Sequence, residues 1–238
     1  MNKRGLRGAA RPEGLMASRF AGSQHGASAA DALFALIGDE GVASHPYLRA
    51  LDPFEGPEAT RNLADAVHFL CVLHGRHPGL IDHAAESTAC ATSQRWLGHV
   101  APAFSAERLF IMRLAVAAGP VPSTPGAADS EAAVSGQSRA LQMLARSERR
   151  GCALGAAVAL VIDWHAFRPL LDHAARRLGI DVPTCRLPGE NDLGAVVEDA
   201  AGEPSVRRAL GFGASQVLVQ HRGLLDLLEA RQSARQDS

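Results

Sequence analysis

Apolar residues recur along this chain at helical spacing. In EATRNLADAVHFLCVLHGR, Leu63, Val67, Leu70 and His74 stand at i, i+4, i+7 and i+11, which lines them up on one face of a helix. Ser105 is a capping residue, and AERLFIMRLAVAAG follows it with Leu109, Met112 and Val116 at i, i+3 and i+7 before Gly119 stops the pattern. Leu218, His221, Leu225 and Leu228 form a third stripe, with a break or bend expected at Gly211-Phe212-Gly213. CALGAAVALVI, ending at Asp163, has no stripe because it is apolar all round. Such a segment predicts a central buried helix, and its small residues Gly155, Ala156 and Ala159 let neighbouring helices approach closely. No run reaches the roughly 18 apolar residues of a membrane span.

Shorter elements complete the pattern. Ser28 caps AADALFALIGDEG, Pro46 opens HPYLRAL, and ENDLGAVVEDAAG supplies a short helix. No segment sustains a period of two. The predicted fold is all-α, a single-domain antiparallel helical bundle of about eight to ten helices. GPVPSTPGAADS, with three prolines, forbids regular structure and is expected to join two halves, 28–118 and 129–231, of one domain. Each half alone has few helices with which to close a core. Residues 1–27 carry no periodicity and read as a disordered basic arm, and residues 232–238 as a frayed tail.

Composition narrows the function classes. The chain has 238 residues, 47% of them hydrophobic and 21% charged, with a formal net charge of −1. No global field favours nucleic acid or a membrane surface. Lys3 is the sole lysine, which points to the codon usage of a GC-rich, bacterial genome. Cys71, Cys90, Cys152 and Cys185 are scattered, without the paired spacing of a zinc or redox motif, so a reducing, cytoplasmic setting is expected.

One phrase occurs twice. HGRHPGLIDHAA begins at His74 and HAFRPLLDHAA at His165. A proline inside a helix frees the carbonyl four residues back, and in both copies that carbonyl belongs to a histidine. Whether the helices continue as kinks or stop and restart with Pro at the first helical position, both segments are expected to bend just after a histidine, with an Asp-His pair a turn further on. The registers differ: Asp82 lies four residues past Pro78 and Asp172 three past Pro169, which rotates the pair by about 100°. The likeness is either a duplicated helical hairpin, giving pseudo-twofold halves, or chance in a chain rich in Ala and Leu.

Facing helices of a bundle can hold a metal between inward carboxylates and imidazoles. His74, His77, Asp82, His83, His165, Asp172 and His173 are the candidate ligands, suited to iron or manganese. Asp65-Ala-Val-His68 resembles the Glu-x-x-His ligand pair of ferritin-like di-iron proteins. That family carries two such motifs and two further glutamates, whereas a single Asp-x-x-His stands here. A haem site would instead need one axial histidine in an apolar helix, and His74, His165 and His221 meet that condition. There is no G-x-S-x-G nucleophile motif and no glycine-rich phosphate loop after a strand. Two readings follow. The first is a non-catalytic protein acting through helix-face contact with a protein partner or a second copy of itself. The second is a metal- or haem-dependent oxidoreductase with a His/Asp site between the two bent helices.

Overall fold

The structure is a computed structural model that describes residues 28–50, 52–189 and 193–237. The arm expected at 1–27 lies outside the described residues. The described chain forms ten α-helices: α1 (Ala29–Glu40), α2 (Pro46–Arg49), α3 (Asp52–Glu55), α4 (Ala59–His74), α5 (Leu80–Ser87), α6 (Ala91–Ala118), α7 (Ala127–Ala145), α8 (Cys152–Arg177), α9 (Leu193–Ala200) and α10 (Pro204–Gln236). No strand occurs among the described residues, and the fold is an all-α helical bundle. Ser28 starts α1 with a capping box, its hydroxyl accepting from Asp31 N–H while the Asp31 carboxylate accepts from Ser28 N–H.

α8 is the central helix. Every residue from Cys152 to Val161 is buried, and Trp164, Phe167 and Leu171 continue the burial. It is the one described helix long and apolar enough to cross a membrane, and 78% of its most apolar window is buried inside the molecule. α10 forms its most extensive interface with α8. The two helices touch through glycine: a methyl at Gly155 would overlap the Leu210 backbone, and one at Gly213 would overlap the Cys152 carbonyl. Gly213 is therefore a close-approach residue, and α10 runs through Gly211-Phe212-Gly213 without the expected break.

One further expectation is corrected. Ser105 lies inside α6, which begins at Ala91 and carries Pro102 within it. α10 continues through the C-terminal residues to Gln236. Their anchor is Asp65 on α4, which receives Arg231 through two bonds of 2.9 Å and Arg235 through one of 2.7 Å. Arg231 also donates to the Pro122 carbonyl at 2.9 Å, pinning the α6–α7 loop. That loop turns at Gly119 and Gly126, whose positive φ of 75° and 71° suits glycine.

The two copies of the repeated phrase are built differently. α4 stops at His74, and the chain passes a cis His77–Pro78 bond before α5 starts at Leu80. The first copy is thus a stop and restart of the helix. In the second copy Pro169 lies inside α8, which continues to Arg177.

Candidate functional site

α4, α8 and α10 converge on a buried polar chain. Asp163, on α8, follows the apolar run directly. One of its carboxylate oxygens accepts from the Val42 N–H at 3.1 Å. The other lies 2.7 Å from Nδ1 of His221, on α10. The Nε2 atoms of His221 and His74 are 2.9 Å apart. All three residues are buried, His74 at 6% exposure. Aromatic rings enclose the chain: Trp164 and Phe104 pack edge-on against His74, and Phe167 against His221. Burial pushes the His74 pKa well below its ordinary value, and the nearby charges of His221 and Arg108 lower it further.

The chain ends at a cavity. His74 forms part of the wall of a space of about 120 Å³ between the α4–α5 turn, α6 and α7. Arg76, His77, His83, Arg108 and Arg146 also line it. Arg108, on α6, is buried and donates to the His74 carbonyl at 3.3 Å and to Asp82 at 2.8 Å. Asp82 also accepts from the Gly79 N–H at 2.7 Å, which caps α5.

The candidate ligands are scattered among other tasks. His77 is exposed and lies 3.2 Å from Asp82. His83 faces Glu86 at 3.5 Å, one turn along its own helix. Nε2–H of His165 donates to the Pro188 carbonyl at 3.0 Å, and that of His173 to the Phe54 carbonyl at 3.1 Å. Asp172 accepts from Arg168 at 2.7 Å. Arg168 also binds buried Glu107 at 2.7 Å, and Glu107 accepts from the Trp164 indole at 2.9 Å. Asp65 is held by two arginines, and His68 donates to the Gly119 carbonyl at 2.8 Å. Among the described residues no three His, Cys, Asp or Glu side chains are arranged to hold a metal ion. His221, a haem-ligand candidate, and Asp163 complete the buried chain. Their signal in the sequence is a polar residue at the close of an apolar run and a histidine within an apolar stripe.

Over one stretch α6 buries two charged residues among Phe104, Phe110, Ile111 and Leu114 and exposes three large apolar ones. Glu107 and Arg108 are buried, while Leu109, Met112 and Val116 are 63%, 44% and 83% exposed. The Leu109–Met112–Val116 stripe faces outward.

This is a helical protein with a buried Asp–His–His chain beside a basic cavity and a bare apolar helix face. It belongs to a family of unknown function, DUF6975, which matches residues 37–236. No curated protein and no solved structure matches the chain.

Proposed function

We propose that the chain is a non-catalytic protein that works by association through the outer face of α6. The observation that carries this reading is the outward placement of Leu109, Met112 and Val116. Contiguous exposed apolar surface marks a contact site, because covering it removes that surface from water. The occupant we propose is a second copy of the chain. Along the same face the exposed residues Gly98, Pro102 and Ala106 are small or compact, Leu109, Met112 and Val116 are large, and Arg95 and Arg113 stand beside them. An antiparallel second α6 sets the large end of one helix over the small end of the other, the self-complementary arrangement of a twofold contact. Four unpaired cysteines support a reducing, cytoplasmic setting.

Sedimentation velocity tests this reading. The expected result is a concentration-dependent dimer that Leu109→Glu and Val116→Glu convert to monomer without lowering the melting temperature. A chain that stays monomeric at all concentrations, or a dimer indifferent to both substitutions, overturns it.

A further inference from the structure

We infer that the cavity between the α4–α5 turn, α6 and α7 binds a small oxyanion, with His74 in its inner wall and Arg76 and Arg146 at its mouth. The site is independent of the α6 outer face. Its first mark is His74 itself. Nε2 of this ring is taken by His221, and no described residue provides a hydrogen-bond partner for Nδ1. An imidazole nitrogen without a protein partner, on a residue that lines a cavity, is placed to meet a bound molecule.

The second mark is charge. Three guanidiniums, Arg76, Arg108 and Arg146, border a space of about 120 Å³. Among the described residues one carboxylate, Asp82, meets them, and it is spent on Arg108 and the Gly79 N–H. Arg76 and Arg146 are exposed and have no described ion-pair partner. Guanidinium forks suit the oxygens of phosphate or carboxylate.

The third mark is the chain behind the ring. The chain supplies a donor to the cavity when His221 is an imidazolium paired with the Asp163 carboxylate: His221 then donates Nδ1–H to Asp163 and Nε2–H to His74 Nε2, and His74 keeps Nδ1–H toward the cavity. Every donor in this order meets an acceptor, and Asp163 is fixed in turn by the Val42 N–H. His74 thus offers a donor to the anion without itself carrying a charge. The other groups facing the cavity are His77, His83, paired with Glu86, and Gln142.

The test is calorimetric titration of the full chain with inorganic phosphate, together with nitrogen NMR of its histidines. One saturable site is expected. The double variant Arg76→Gln, Arg146→Gln, altered only at exposed positions, weakens binding by about tenfold with unchanged melting. Phosphate shifts the Nδ1 resonance of His74. Competition by sulfate identifies a tetrahedral anion, and competition by acetate alone identifies a carboxylate; both support the site. Absence of binding at millimolar phosphate, binding undiminished in the double variant, or an unshifted His74 each overturns it.

Discussion

At His74 the chain leaves its helix, while at His165 it stays in one, although both positions open nearly the same phrase. The residues between histidine and proline explain the difference. The first copy has Gly75 and Arg76 before His77-Pro78-Gly79, and its side chains here are exposed or half-buried. Little burial opposes the proline, and glycine favours leaving the helix. The second copy has Ala166, Phe167 and Arg168 before Pro169 and then Leu170 and Leu171, all but Ala166 and Pro169 buried. Fully burying one such apolar side chain contributes about 1.5–3 kcal/mol, enough for several to outweigh a missing backbone bond. Consecutive residues of α6 serve the two copies: Arg108 reaches Asp82 of the first, and Glu107 reaches Arg168 of the second. This is why α6 buries two charged residues and leaves an apolar stripe outside.

Three experiments probe the contrast. The largest effect is expected at the second copy's ion pair. Arg168→Met leaves Glu107 buried without its charge partner, and the expected loss is about 3–5 kcal/mol in chemical denaturation. Arg108→Met frees Asp82, which solvent reaches more readily and which keeps its cap on α5, so a loss of about 1–3 kcal/mol is expected. Equal losses would break the comparison. Next come the leading histidines. His74→Ala removes a buried ring and strands His221 Nε2, for about 2–4 kcal/mol, whereas His165→Ala releases one loop carbonyl for about 1 kcal/mol.

The smallest effect is a slope with pH. Native His74 resists protonation, while the same residue in the unfolded chain accepts a proton near its ordinary pKa of 6.5. The unfolded state therefore binds more protons below that value, and stability falls as pH drops through and beneath it. The His74→Gln variant should show a flatter dependence of melting temperature on pH, and His165→Gln should keep the slope of the parent. A slope unaltered in His74→Gln would place its origin elsewhere.

Much of the fold was readable before any contact was known. The α4 stripe of Leu63, Val67 and Leu70 faces the core as its spacing demands, and the apolar run from Cys152 became the central helix. Both are local patterns, in which periodicity alone separates inside from outside. Leu109, Met112 and Val116 of α6 have the same helical spacing as a core face, yet they are exposed. What displaced them was the requirement of Asp82 and Arg168, distant in sequence, for buried partners at Arg108 and Glu107. The glycines of α10 misled for a similar reason: Gly213 answers to the backbone of α8 and not to its own helix.

The candidate site was legible in its parts and not in its assembly. His74, Asp163 and His221 each stand out as polar residues in apolar surroundings. Their hydrogen bonds span 147 and 58 residues of chain. The amino-acid order by itself settled which segments are helical and which helix is most apolar, because backbone preference and periodicity act over a few turns. Only the packed structure decided which imidazoles meet, which carboxylates are claimed by arginine, and which apolar face stays bare. Those outcomes depend on directional contacts between helices, and a helix's own sequence does not say what will lie across from it.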